Sequence, residues 1–183
     1  FCKIAEKEGL IDAVNVTGGW HEAPVPQISY QLPSGGFAYL ADAIKSVVNV
    51  PVIACNRINN IDTMEEILSN GMADFVGTAR GFLADPCFAQ KVLTGMPYNR
   101  CQGCNKCIEA VLKGKPVLCA YNPEVGHEEE EKTHRKVISA KKILVVGAGP
   151  AGLEAAKKSA ERGYKTILCT KDNKLGGMLV SAS

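Results

Sequence analysis

The tightest constraint on the fold lies near the C-terminus. There the apolar run KILVV at 142–146 leads into Gly147-x-Gly149-x-x-Gly152 and then into the helical stretch LEAAKKSAER. Glycines at this spacing are a weak signal alone, but between a strand and a helix each has a job. Gly147 permits the tight turn, Gly149 lets the backbone approach a pyrophosphate, and Gly152 lets the helix lie close on the sheet. The helix N-terminus then favours negative charge. With KTILCT as the following strand and Gly163 placed to end the helix, residues 141–183 read as the opening βαβ unit of a Rossmann-like domain for an ADP-containing cofactor. Candidate contacts are Gly147, Gly149, Ala151 and Gly152, with Thr170 at the end of the second strand. That last position ordinarily carries Asp or Glu for the ribose hydroxyls, whereas a threonine bonds a ribose without charge assistance.

Upstream, helix and strand alternate. FCKIAEKEGL has helical character and precedes the β-branched run IDAVNVTGG. Phe37, Leu40, Ile44 and Val47 fall on one helical face, and VPVIACN follows as a strand. Asp62 with Glu65 resembles a capping box opening the helix TMEEILSN, which Gly71 can close in a left-handed conformation before the strand ADFVGTA. Repeated βα units with continuous apolar strands imply a parallel sheet covered on both faces, in a barrel or a doubly wound fold. Three strands do not close a barrel. Together with the missing initiator Met, this leads us to expect further units upstream.

Between these regions the texture changes. Cys101-x2-Cys104-x2-Cys107 is followed after eleven residues by Cys119, which places three thiols on one tight loop and a fourth across a short helical segment. That arrangement suits a [4Fe–4S] cubane. A structural zinc site, the alternative, more commonly joins two separated C-x2-C knuckles. Disulfides are disfavoured because Cys2, Cys55, Cys87 and Cys169 are scattered singly and no secretion signal is evident. The segment HEEEEKTHRK beyond reads as a solvated linker without chemistry. A net charge of +2 offers no attraction for nucleic acid or a membrane surface, and no apolar run is long enough to span a bilayer, so a cytoplasmic location is expected.

Two arginines and a histidine fall where the strands end. Backbone N–H groups of Gly77, Thr78, Ala79 and Arg80, with the Arg80 guanidinium, are placed to hold a phosphate, and Arg57 ends the preceding strand on the same rim. Surface ion pairing is the plainer reading of both arginines. His21, in GGWHE, likewise follows a strand and is a candidate acid; a loop histidine that only hydrogen-bonds is the alternative.

Taken in order, GGWHEAPVPQ, ACNRIN, VGTARGFLADP, CQGCNKC…C and VVGAGPAGLEAA resemble the old-yellow-enzyme-like iron–sulfur flavoproteins. That family includes 2,4-dienoyl-CoA reductase, trimethylamine dehydrogenase and enoate reductases. The resemblance implies a domain plan: residues 1–97 as the last three βα units of an FMN-binding TIM (β/α)8 barrel, 98–126 as the cluster segment, 127–140 as a linker, and 141–183 as the start of the FAD-binding domain. It implies that Arg57, Ala79 and Arg80 contact FMN, that the four cysteines hold the cluster, and that His21 relays a proton. The expected activity is reduction of an activated C=C bond in an enoyl-CoA, enoate or related carbonyl compound. Electrons would pass from NAD(P)H to FAD, then through the 4Fe–4S cluster to FMN. Oxidative amine demethylation is one alternative, and a non-catalytic electron-transfer or zinc-stabilised module is another. Thr170, and Met178 where the family often has Gln near the FAD, depart from the pattern and leave bare ADP open as the second ligand. The 183-residue stretch by itself is expected to be inactive.

Overall fold

The computed structural model describes residues 1–20, 22–26, 30–129, 137 and 141–181. The chain divides into two compact units, Phe1–Gly126 and His127–Ser183. Both are mixed α/β with parallel sheets.

The first unit runs α1 (Cys2–Lys7), β1 (Val14–Val16), α2 (Ala38–Lys45), β2 (Val52–Ala54), α3 (Ile61–Ser69), β3 (Phe75–Val76), α4 (Ala79–Ala84), α5 (Phe88–Leu93) and α6 (Lys106–Leu112). Its three strands lie in chain order and pair in parallel, with Val14 opposite Val52 and Ala54 opposite Val76. Val52 and Ala54, which share one face of the central strand, are fully buried and pack with Ala38, Ala41, Ile58, Met64 and Ile67, while Ile53 on the other face is half-buried. Small residues on α2 let that helix lie close on the sheet. One expectation needs correction. The cap of α3 is Asn60, not Asp62: the Asn60 Oδ1 accepts from the Thr63 backbone N–H at 2.9 Å, and Asp62 lies inside the first turn. Gly71, at φ 69°, follows the end of α3 in the left-handed region.

The segment from residue 85 to 122 is strapped to this sheet by buried polar groups. The Asp85 carboxylate accepts from Lys91 Nζ at 2.6 Å and from the backbone N–H groups of Cys87 and Asn99 at 3.1 and 3.0 Å. Phe88 meets Phe82 and Tyr98 edge-to-face, at centroid distances of 5.8 and 4.8 Å. The Tyr98 hydroxyl accepts from Ile61 N–H at the start of α3, and Asn122 Nδ2 donates to the Leu83 carbonyl. The cysteine-bearing stretch is therefore anchored on either side.

Burial raises the Asp85 carboxyl, but the bonds from Lys91, Asn99 and Cys87 outweigh it, and the net shift is downward. A carboxyl depressed in the folded state stabilises it above the unfolded-state value near 4 and loses that contribution as pH falls through its lower folded value. Asp85→Ala is accordingly expected to cost roughly 2–3 kcal/mol at neutral pH, since two backbone donors lose their acceptor. The variant should also lose part of the wild-type decline in stability below about pH 4. Urea unfolding at pH 7 and pH 3 measures both effects.

The second unit contains β4 (Lys142–Val146), α7 (Pro150–Glu161), β5 (Lys165–Cys169) and a 3-10 turn (Gly177–Ser181). β4 and β5 pair in parallel from Lys142 opposite Lys165 to Val146 opposite Cys169. α7 has Pro150 in its first turn, where a missing N–H costs nothing, and Gly163 at φ 94° follows its end. The strand residues alternate between half-buried and exposed, and Leu144, Val146 and Ile167 are exposed. Most of the charged stretch HEEEEKTHRK lies outside the described residues. Among the described residues, no helix is long and apolar enough to cross a membrane.

Candidate functional site

Parallel strands aim their carboxyl ends at one edge of a sheet, and in α/β folds that edge is where ligands sit. In the first unit the edge opens into a cavity of about 450 Å³. Thr17 follows β1; Cys55, Asn56, Arg57, Ile58 and Asn59 follow β2; Gly77, Thr78, Ala79 and Arg80 follow β3; Cys101 closes the wall from the cysteine loop. The Gly77–Arg80 turn and Arg57 thus come together at one rim. A Cβ on Gly77 would stand 2.7 Å from Cys55 Sγ, so the backbone approaches the neighbouring strand end more closely than a side chain allows. Cys55 Sγ donates to Asn15 Oδ1 at 2.8 Å; burial pushes its thiol up, partly offset by the Gly77 N–H.

Asn56 and Arg57 have φ of 75° and 52°, a left-handed backbone that costs energy outside glycine. This twist turns the Arg57 side chain toward the 30–34 loop, where its Nη2 donates to the Tyr30 carbonyl at 2.5 Å and its Nε donates to the Leu32 carbonyl. Ser34 Oγ in turn donates to the Arg57 carbonyl at 3.0 Å. Burial, and then the neighbouring Arg80, push the Arg57 pKa down, with Cys101 acting in the opposite sense. Arginine stays charged even so.

Residues after β2 and β3 also reach the cysteine loop directly. Asn59 Nδ2 donates to the Cys101 carbonyl, and Arg80 Nη1 donates to Asn105 Oδ1 at 2.9 Å. The loop turns through Gly103 and Asn105, both left-handed at φ 68° and 61°, before α6 carries Cys107 away. α6 itself is braced by Glu109, which accepts from Lys113 and Lys106 and is pulled down to about 2. Burial pushes the Cys107 thiol up, whereas the Ile108 N–H and Arg80 favour its thiolate. Cys101 and Cys107 are half-buried and close enough to influence each other, Cys104 is exposed, and the Cys119 sulfur accepts from Tyr121 N–H at 3.4 Å.

Among the described residues, no three Cys, His, Asp or Glu side chains are gathered as ligands of a single metal ion. A cubane asks for something else, four thiolates spread over its iron corners. Two observations fit such a group beside the loop. Arg57 Nη1 is buried without a hydrogen-bond partner, and a Cβ on Gly103 would fall 2.1 Å from that atom. His21 lies outside the described residues.

In the second unit a cavity of about 380 Å³ is lined by Val146, Gly147, Ala148, Gly149, Cys169, Thr170, Lys171, Asp172 and Gly177. Gly147, at φ 107°, donates its N–H to the Cys169 carbonyl at 2.7 Å and so joins the two strand ends. A Cβ on Gly152 would lie 1.8 Å from the Gly147 carbonyl oxygen. The Gly176–Gly177 pair folds onto the turn: Gly176 N–H donates to the Ala148 carbonyl, and a Cβ on Gly177 would stand 3.1 Å from Gly149 Cα. The Thr170 hydroxyl accepts from Asp172 N–H at 3.3 Å. Of the candidate contacts, Gly147, Gly149 and Thr170 line the cavity; Ala151, Gly152 and Met178 do not, and Met178 is exposed. Asn59, Asn105, Lys171, Asp172 and Gly177 were not singled out from the sequence. Only the Gly-Gly pair carried a local signal.

Residues 12–99 match the NADH:flavin oxidoreductase / NADH oxidase family, and residues 142–183 match the FAD dependent oxidoreductase family. The chain belongs to the NADH:flavin oxidoreductases, a family of flavin-dependent enzymes. It is 47% identical to a metal reductase of Desulforamulus reducens, covering 100% of this chain and 28% of that protein. It is 37% identical to an NADH oxidase of Thermoanaerobacter brockii, covering 99% and 28%. The solved structure of a 2-naphthoyl-CoA reductase in complex with 2-naphthoyl-CoA superimposes with a TM-score of 0.85 at 33% identity, covering 97% of this chain and 28% of that one. The chain thus spans little more than a quarter of the length of these relatives. The wider set of relatives holds both alkene reductases and amine dehydrogenases.

Proposed function

We propose that this chain is the electron-transfer heart of an NAD(P)H-dependent flavin and iron–sulfur oxidoreductase that reduces an activated C=C bond. The observation that carries the reading is the first cavity, because one space is walled both by the Gly77–Arg80 turn and by Cys101. In this reading residues 1–97 are the last three βα units of an FMN barrel, 98–126 the cluster segment, 127–140 a linker, and 141–183 the opening of the FAD domain. The parallel β1–β3 order and the strand–glycine turn–helix of the second unit support it.

Gly77, Thr78 and Ala79 offer backbone N–H groups, and Arg80 a guanidinium, to the FMN phosphate. Cys101, Cys104, Cys107 and Cys119 hold the cluster as thiolates, which Arg80 favours at Cys107 against the cost of burial. Gly147 and Gly149 take the pyrophosphate of FAD, or of ADP, at the start of α7. Thr170 and Asp172, which line the same cavity, are the groups assigned to the ribose in this reading. When bound, the flavins and cluster supply the redox chemistry, from NAD(P)H oxidation to hydride delivery. His21 holds the proton delivered to the substrate, a role suited to an imidazole near neutral pH. The substrate class is an enoyl-CoA, enoate or related unsaturated carbonyl compound; the 2-naphthoyl-CoA complex favours a thioester.

Anaerobic rapid mixing of the full-length protein tests this. NADH or NADPH is expected to bleach the flavin, and an enoyl-CoA to restore its absorbance. Bleaching by dimethylamine but by neither pyridine nucleotide would establish the demethylase reading instead. A preparation holding zinc without flavin or iron would establish the zinc-stabilised module, and one holding flavin and iron that neither pyridine nucleotide nor amine bleaches would establish the non-catalytic electron-transfer module.

A further inference from the structure

Arg57 stands out because two of its three guanidinium nitrogens have partners and the third has none. Nε and Nη2 donate to the carbonyls of Leu32 and Tyr30, which fix the plane of the group, while Nη1 is buried and has no acceptor. A buried donor left without a partner keeps the full cost of leaving water, so a structure that holds one in place points to a ligand. The direction is set by Gly103: only the absence of a Cβ there leaves room for Nη1. Gly103 lies between Cys101 and Cys104, and the charge of Cys101 acts on Arg57 in the sense that favours the cation. The left-handed backbone at Asn56 and Arg57 is what aims the side chain this way.

The geometry points to Arg57 as a donor to the iron–sulfur site, its Nη1 hydrogen-bonded to a sulfur of the cluster or its thiolates and raising the cluster's reduction potential. This goes beyond a flavin-phosphate role for the residue, and it rests on the reading that the four cysteines hold a [4Fe–4S] cluster. A hydrogen bond and a fixed positive charge both stabilise the more negative, reduced state, and such donors are among the main determinants of cluster potential. Arg80 is turned to the same loop through Asn105, but its Nη1 is already satisfied by that contact.

An EPR-monitored redox titration of the anaerobically purified full-length protein tests the assignment, with Arg57→Gln, Arg57→Lys and Lys106→Gln compared. Lys106 is also a cation near Cys104, but it is exposed and paired with Glu109. Arg57→Gln is expected to shift the reduced-to-oxidised ratio at fixed potential about tenfold toward the oxidised form, a midpoint lower by about 59 mV for one electron. Arg57→Lys should fall between, because one ammonium does not serve two carbonyls and a sulfur together. Lys106→Gln should stay near wild type in both midpoint and FMN content, and the midpoints of the Arg57 variants are compared on molecules that retain FMN. If Arg57→Gln does not assemble a cluster, the Arg57→Lys midpoint decides. A wild-type midpoint in the Arg57 variants, or loss of FMN with the midpoint unmoved, overturns the inference while leaving the cluster reading intact. Wild-type protein lacking iron and sulfide overturns both.

Discussion

Gly152→Ala is expected to empty the second cofactor site while leaving the first intact. The new methyl group would lie 1.8 Å from the Gly147 carbonyl oxygen, well inside contact distance. Neither side can give way cheaply. The Gly147 N–H is held by the Cys169 carbonyl at 2.7 Å, and its φ of 107° leaves the turn few other conformations. Residue 152 is itself in the first turn of α7, locked by the Leu153 N–H bond to the Gly149 carbonyl. Relief therefore requires α7 to move off β4 and β5, which would take the Gly149 backbone away from the cavity. Overpacking against immobile backbone costs up to about 3 kcal/mol, or roughly a hundredfold in binding of FAD or ADP. Flavin extraction from the full-length variant should show FAD or ADP lost and FMN retained. Retention of both at wild-type levels would mean that the turn is more compliant than the contact implies.

Arg80→Ala is expected to act on the other cavity. Arg80 lines that cavity and is the charged member of the Gly77–Arg80 turn. Removing one charge-assisted contact to a phosphate costs roughly 1.5–3 kcal/mol, or about ten- to a hundredfold in FMN affinity. The variant also loses the bond to Asn105 Oδ1, a residue held in the left-handed region beside Cys104. Fluorescence titration of flavin-stripped full-length protein with FMN and with riboflavin separates these effects. Riboflavin lacks the phosphate, so its affinity should change little. An equal loss for both ligands would assign Arg80 to loop architecture instead.

How far the sequence carried differs between the two units. The strand–glycine turn–helix of the second unit is spelled out locally, because a turn that tight next to a packed helix admits only glycine at particular positions. The alternation of helix and strand in the first unit was equally legible from its apolar runs. The cap of α3 was not. Asn60 and Asp62 are both good caps, and the choice is made by tertiary contacts: Asn60 Nδ2 donates to Ser34 Oγ, while Ile61 N–H reaches the Tyr98 hydroxyl. Neither partner is near in sequence.

The orientation of Arg57 was hidden for a similar reason. Nothing in ACNRIN announces two consecutive left-handed non-glycine residues, and the carbonyls that hold the side chain come from residues 30 and 32. Asn59 and Asn105, which tie the cysteine loop to the strand ends, are likewise ordinary loop asparagines until the fold brings their partners close. Motif spacing shows which residues could hold a cofactor. It does not show which neighbours hold those residues.

We propose that the cysteine quartet beside the first cavity carries a [4Fe–4S] cluster. Iron, acid-labile sulfide, zinc and flavin should be measured together on the full-length protein purified without oxygen. About four iron and four sulfide per chain, with FMN present, are expected. Stoichiometric zinc with neither sulfide nor iron would contradict it.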